Sequence, residues 1–392
     1  MKYFSRLPLA IQFVETLQGK TAFSDAHNGL FLTGPRRTGK STFLQVDLKS
    51  ALEKKGIVVV YVDLWADQKR SPGHLIADAV SRTPLNLHQE FLAKSGKAAR
   101  HDRALGRPRA DSSSADKAND FTLTDALRAL HEAAQAPVAL IVDEAQHALT
   151  SLEGENAMTA LKSARDQLNR PDDVNLMIIM SGSDRDKLLR LVNVNTTPFY
   201  GSQVQQMPEL GADFIAHVTE LITAQYPHLD NINQAALLQA FSLFGRRPQF
   251  FVNALGQALN AQSYWADGFE SSLLAYAQQQ QQDDEALMES HYLALKPLEQ
   301  VILWRLLAQG SRFRPYDAEA LTFYNSKIND RVTVSRAQKT LEGMRERQPS
   351  LLWKSVRGEY AVDNIAMHHW YQQRVASNTW PPIGQQLDWN ED

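Results

Sequence analysis

The chain has 392 residues, 43% of them hydrophobic and 22% charged, which fits about two to three packed domains and excludes general disorder. Forty-one Lys and Arg residues against forty-four Asp and Glu residues leave a formal charge of -3. A polycationic nucleic-acid binder is thereby excluded, but a local basic patch is not. There is no cysteine, which rules out disulfides, cysteine-held zinc or iron–sulfur centres and thiol nucleophiles.

No apolar run approaches the roughly 18 residues of a membrane helix. The first segment, Met1 to Leu17, carries Lys2, Arg6, Gln12 and Glu15 and lacks the unbroken apolar core of a signal peptide. A soluble cytoplasmic protein without membrane contact is the expectation.

In chain order, the first strong element is the apolar run Gly29 to Thr33, which stops at Gly34-Pro35 and is followed by a helical segment from Lys40 to Leu52. The β-branched run Ile57 to Val62 reads as a strand buried on both faces. A helix follows from about Ser71 to Val80, with its end left open to run further. Residues 94–119 then carry few large apolar side chains. Lys94, Lys97, Arg100, Arg103, Arg107 and Arg109 stand there against Asp102, and the stretch reads as a long mobile insertion, either a solvated linker or a basic loop for nucleic acid or an acidic partner.

Order returns with a helix at Leu123 to Ala134, capped by Thr122 or Thr124. The strand Val138 to Val142 ends in Asp143-Glu144. A helix over Ala157 to Asn169, a strand over Asn175 to Met180 ending at Ser181-Gly182-Ser183, and a short helix over Asp184 to Val192 complete the alternation. Such alternation implies a parallel sheet with right-handed crossovers. Beyond Met207 the chain is helical by composition up to His291, with a turn at Gly245-Arg246-Arg247-Pro248. The five glutamines Gln278 to Gln282 read as an exposed helix end or linker. From Pro297 come three helices (Leu298 to Ala308, Asp317 to Tyr324, Ser335 to Arg347) and two short strands. The domain boundaries that follow are 1–207 for a core, 208–290 for a helical lid, 291–376 for a C-terminal domain and 377–392 for a tail.

Gly34-Pro35-Arg36-Arg37-Thr38-Gly39-Lys40-Ser41 matches the P-loop pattern G-x-x-x-x-G-K-[ST], between a strand and a helix. The glycines let backbone N–H groups turn inward on phosphate oxygens, and the following helix adds its positive dipole end. Lys40 reaches the β- and γ-phosphates, Ser41 offers a hydroxyl to Mg²⁺ and Thr42 lies one step into the helix. Asp143 at its strand tip is placed to hold Mg²⁺ through water, and Glu144 to orient and deprotonate the attacking water. Ser181 or Ser183 then sits near the γ-phosphate, unless Ser183 serves with Asp184 as a helix cap. Positive charge for a phosphoryl transition state would come from Arg190, Arg246 or Arg247, with Arg185 less suited. His368-His369 are adjacent and cannot share one helical face, and no H-E-x-x-H occurs, which disfavours a metal hydrolase.

On the loop, the Asp143-Glu144 strand, Ser181-Gly182-Ser183 and Pro198-Phe199-Tyr200-Gly201, the chain resembles the AAA+/STAND branch of P-loop ATPases, and within it the prokaryotic "archaeal ATPase-like" group, over about residues 25–255. The resemblance implies an α/β fold with a five-stranded parallel sheet in the order 5-1-4-3-2 flanked by helices, followed by a helical lid. It implies that Gly245 to Pro248 begins a lid helix with Arg247 as a second sensor, that Arg190 is a finger reaching a neighbouring subunit, and that ATP drives homo-oligomerisation. A serine stands where the family's polar sensor is usually Asn or Thr.

The C-terminal segment resembles the winged-helix domain attached to such ATPases. Ser335 to Arg347 would be the recognition helix, and the strands Leu351 to Lys354 and Glu359 to Val362 the wing, turning at Val356-Arg357-Gly358. Arg331, Arg336, Lys339, Arg345, Arg347, Lys354 and Arg357 outnumber Glu342, Glu346 and Glu359 there, so this face suits DNA phosphates as well as a protein partner. Trp353, Trp370 and Tyr371 read as core aromatics. Two wider readings stay open, a DNA-binding initiator, loader or transposition regulator and a signalling or defence ATPase that does not bind DNA.

Overall fold

The computed structural model describes residues 3–21, 28–67, 69–94, 122–170, 173–193, 197–229, 231–260, 268–328, 330–347 and 350–382. The chain divides into two compact units, one of Ser5–Thr33 and Ser41–Gln206, the other of Met1–Phe4, Gly34–Lys40 and Met207–Asp392.

The first unit opens with α1 (Leu7–Leu17), whose Pro8 occupies the first turn, where a missing N–H costs nothing. β1 (Leu30–Thr33) is buried along its whole length. After the loop comes α2 (Lys40–Thr42), which runs on through a π-wound stretch, Phe43–Leu48, into α3 (Lys49–Lys54). Asp47 in that stretch is buried and accepts the Ser5 hydroxyl (2.7 Å) and the Arg6 N–H (2.9 Å), which ties α1 to it. β2 (Val58–Asp63), α4 (Pro72–Lys94), α5 (Leu123–Ala134), β3 (Val138–Asp143), α6 (Leu152–Leu168), β4 (Leu176–Gly182), α7 (Arg185–Leu189) and β5 (Val204–Gln206) follow.

All five strands are parallel, in the order β2-β3-β4-β1-β5. Read from the other edge, this is the order that the resemblance implies. β3 and β4 are central and buried at every position, as a strand covered on both faces must be. The register pairs Asp63 with Asp143, Val142 with Met180 and Thr33 with Gly182, so the carboxyl ends of β1 to β4 finish along one edge of the sheet. Open α/β sheets bind ligands at that edge.

Several elements differ from the sequence expectation. β5, the fifth strand that the resemblance implies, is not placed by the residues themselves, because three residues containing two glutamines carry no periodic signal; pairing with β1 makes them a strand. α4 takes the longer of the lengths left open and ends at Lys94. The basic insertion expected at 94–119 lies, from residue 95 on, outside the described residues. α6 begins five residues earlier than expected because the Ser151 hydroxyl caps the Gly154 N–H at 3.0 Å. Thr122, rather than Thr124, caps α5, in a reciprocal capping box with Asp125.

The second unit is mainly helical. α8 (Ala212–Gln225), α9 (Gln234–Leu243) and α10 (Pro248–Asn260) enclose the rings of Phe214, Phe241 and Phe251, with centroids 4.9–6.3 Å apart. α11 (Phe269–Leu293) gives Leu273 and Ala277 to this core and Met288 and Tyr292 to a second one, so one helix passes through the boundary expected at residue 290. The glutamine run lies inside α11 and is neither an end nor a linker. Gln279, Gln280 and Gln281 each bond the carboxylate four residues on, at Asp283, Asp284 and Glu285, one helical turn away.

The second core is built by α12 (Pro297–Gln309), α13 (Ala318–Ile328) and α14 (Val334–Glu346). The antiparallel pair β6 (Leu352–Lys354) and β7 (Tyr360–Val362), and then α15 (Ile365–Ala376), complete it. Trp353 and Trp370 are buried and Tyr371 packs against the core.

Gly154 is the most closely confined of the described glycines. A Cβ there would stand 2.1 Å from the backbone oxygen of Ala148, an atom that cannot rotate away. Gly154→Ala is expected to lower stability by about 1–3 kcal/mol, read as an earlier urea midpoint at unchanged slope.

Candidate functional site

The loop Gly34–Lys40 leaves the carboxyl end of β1. Arg37 (φ 66°) and Gly39 (φ 89°) both take left-handed backbone, the alternation that turns successive N–H groups towards one concavity. The Thr38 hydroxyl donates to the Pro35 carbonyl at 2.7 Å and closes the turn. Lys40 is buried, while Ser41 and Thr42 are exposed at the start of α2. The Arg37 guanidinium lies over the Phe250 ring, 5.2 Å from its centroid.

In the first unit, the tips of β2, β3 and β4 form a hydrogen-bonded acidic cluster. Asp143 is 1% exposed. Its Oδ1 accepts the Ser181 hydroxyl from β4 and the N–H of Glu144 (3.0 Å), and its Oδ2 accepts the Tyr61 hydroxyl from β2 (3.0 Å). Burial, and after it the charge of Asp143, pushes the Tyr61 phenol above its ordinary value, so it remains a donor.

Glu144 follows in left-handed backbone, φ 53°, an uncommon state for a residue with a long side chain. Its Oε2 accepts the Ser183 hydroxyl (2.8 Å) and the Gln146 amide (2.6 Å). Gln146 is buried, and its own carbonyl oxygen has no hydrogen-bond partner among the described residues. That oxygen would be 2.7 Å from a Cβ at position 182, so Gly182 makes room for the amide.

Both serines at the end of β4 are thus engaged, Ser181 with Asp143 and Ser183 with Glu144. The cap of α7 is Asp184, whose carboxylate accepts the Lys187 N–H at 3.1 Å, which leaves Ser183 to the cluster. Sequence reasoning missed Tyr61 and Gln146. The available signal was a lone phenol in an otherwise aliphatic strand and an amide two places after Glu144.

The arginines are placed less simply. Arg190 is 8% exposed. To reach a neighbouring chain, as the expected finger role requires, this guanidinium would have to move outward. Arg247 lies just before α10, as the turn at Gly245 to Pro248 leads one to expect. It donates to the Phe244 carbonyl (2.7 Å), pairs with Asp284 (2.7 Å) and lies over Phe250 at 4.4 Å. Arg246 bonds the Leu210 carbonyl (3.0 Å) and Glu209 (3.2 Å).

The basic C-terminal face is more nearly neutral than its sequence count. Arg345 and Lys354 pair with Glu342 (2.8 and 2.5 Å), Arg347 pairs with Glu299 (2.6 Å), and Arg336 pairs with Asp330. Asp330 and Glu299 lie outside the segments in which the cations were counted. Arg331, Arg336 and Lys339 near the start of α14 and Arg357 in the β6–β7 turn are exposed.

Residues 25–189 match the family model described as AAA domain. No curated protein matches the chain. Among solved structures it is similar to the ORC2 protein of Aeropyrum pernix in its ADP form, at 14% identity over 95% of this chain and 93% of that one, with a TM-score of 0.47. It is also similar to the ORC1 protein of Aeropyrum pernix in complex with DNA (10% identity, 96% and 95% covered, TM-score 0.39). A third is AMPPCP-bound DnaA from Aquifex aeolicus (14% identity, 89% and 91% covered, TM-score 0.37). Among the described residues no helix is long and apolar enough to cross a membrane.

The cluster's energetics are open to measurement. Ser181→Ala leaves the buried Asp143 carboxylate one donor short and is expected to cost about 1–3 kcal/mol, seen as a lower unfolding midpoint.

Proposed function

We propose that this chain is an ATP-binding and ATP-hydrolysing AAA+ ATPase of the STAND-like, "archaeal ATPase-like" kind, whose nucleotide state acts as a switch. One observation carries the reading. The complete motif Gly34–Ser41 follows a fully buried strand of a β2-β3-β4-β1-β5 sheet in which β3 ends on Asp143-Glu144. The AAA domain match over residues 25–189 supports it.

Gly34, Pro35, Arg36, Arg37, Thr38 and Gly39 supply the backbone that wraps the phosphates, and Lys40 their counter-charge. Mg²⁺ takes hard oxygen donors and keeps several of its waters. The Ser41 hydroxyl and the Asp143 carboxylate fit that demand, and the three donors on Asp143 keep it oriented. When bound, the ion offsets phosphate charge. Glu144 accepts the proton of the attacking water, and Ser183, bonded to Glu144, is the sensing hydroxyl. Arg247 is the second sensor, and to act it must exchange Asp284 for phosphate. Homo-oligomerisation on ATP and a cytoplasmic setting belong to the same reading.

The helices α12 to α14 followed by the β6–β7 hairpin support reading the C-terminal part as a winged helix, with α14 as recognition helix and residues 355–358 as wing tip. The exposed Arg336, Lys339 and Arg357 favour DNA as its partner, as in an initiator or loader. Arg345, Arg347 and Lys354, held in ion pairs, favour a protein partner, as in a signalling or defence switch.

Two measurements separate these readings. Lys40→Ala is expected to abolish nucleotide binding, and Glu144→Gln to bind but turn over about 100-fold or more slowly. Parent-rate hydrolysis by both would refute the ATPase. If DNA is the partner, neutralising Arg336, Lys339 and Arg357 weakens duplex binding and flattens its salt slope by about 1 per residue removed. No duplex binding by the parent at low salt points to the protein partner.

A further inference from the structure

Asp143 stands at the end of a strand buried on both faces, and its carboxylate is held from three directions. Ser181 and the Glu144 N–H meet Oδ1. The third support comes from β2. Tyr61 is paired in the ladder with Ile141, two residues before Asp143. It is therefore a diagonal cross-strand neighbour of Asp143, a separation that an aromatic side chain spans. Its hydroxyl meets Oδ2 at 3.0 Å.

The side chain of Gln45 lies beside the same hydroxyl and works against its upward shift. Gln45 lies in the π-wound stretch that continues the helix begun by Lys40 and Ser41. π-wound turns inside helices recur at functional positions. One phenol thus joins the helix that carries Ser41 to the carboxylate of Asp143, the two groups assigned above to Mg²⁺.

We infer that Tyr61 is a positioning residue for the metal. It touches neither nucleotide nor ion, and it holds Asp143 at a set orientation relative to the Ser41 helix through Gln45. The inference rests on the proposed Mg²⁺–nucleotide reading. Partners behind a metal ligand typically change metal affinity by 10–100-fold when removed.

Tyr61→Phe deletes only the hydroxyl. The readout is Mn²⁺ affinity by electron paramagnetic resonance, with a slowly hydrolysed ATP analogue present. Affinity for that analogue in EDTA and the unfolding midpoint are followed in parallel. Tyr61→Phe is expected to weaken Mn²⁺ binding about tenfold or more and to leave the EDTA affinity close to the parent's. Gln45→Ala, at an exposed position, is expected to weaken Mn²⁺ binding less and in the same direction. It carries the test if Tyr61→Phe does not fold. Unchanged Mn²⁺ affinity in the folded variants overturns the inference and leaves the ATPase reading standing. An equal loss in EDTA overturns it too, because Tyr61 is then a structural residue. If the parent chain binds no analogue at all, the ATPase reading falls and this inference falls with it.

Discussion

A carboxylate at the end of a strand covered on both faces has to be hydrogen-bonded by protein, because little water reaches it and an ionised group left alone there is costly. Asp143 occupies that position after five apolar residues of β3, all of them fully buried. The neighbouring strands answer the constraint. β4 supplies Ser181, β2 supplies Tyr61, and the chain turns back on itself so that the next N–H does the same. The turn puts Glu144 into left-handed backbone, a strain that persists only where surrounding contacts over-determine it.

The contacts that hold Glu144 come from further out. Ser183 and Gln146 meet on one carboxylate oxygen, and Gly182 leaves the space that the amide needs. Each layer exists because the one inside it must be satisfied. Buried polar networks specify a structure sharply when complete, and here the Gln146 carbonyl oxygen lacks a partner among the described residues, on the amide whose nitrogen bonds Glu144. Local strain and an unsatisfied group together characterise functional sites more than packing sites.

The helical unit follows a different rule. Its cores are aromatic and aliphatic, and many of its charges are held in ion pairs. Arg247 with Asp284 and Arg347 with Glu299 join residues that lie 37 and 48 positions apart. A charge count along the sequence cannot see such pairs, which is why the C-terminal face is less basic than its arginines and lysines suggest. The glutamine run shows the converse. Low complexity suggested a linker, yet carboxylates one helical turn further on keep it inside α11.

Much of this protein was legible in its residues. The phosphate loop is a local pattern with a local cause: glycine supplies the backbone and lysine the charge within eight positions. The alternation of aliphatic strands with helices follows from periodicities of two and 3.6 residues, and it sufficed to place four of the five strands. β5 escaped because three polar-flanked residues have no period and become a strand only against β1. The meeting of Tyr61, Gln146, Ser181 and Ser183 with the two acids escaped for a related reason. Strand order and register choose those partners, and they bring together side chains up to 82 positions apart. The burial of Arg190 is likewise a property of packing, since an arginine is written the same way whether it ends in solvent or in a core. Sequence alone determined the groups with which phosphate chemistry can be done; only the tertiary structure decided which hydroxyls and amides hold them, because hydrogen bonds are made across space and their partners are set by the sheet.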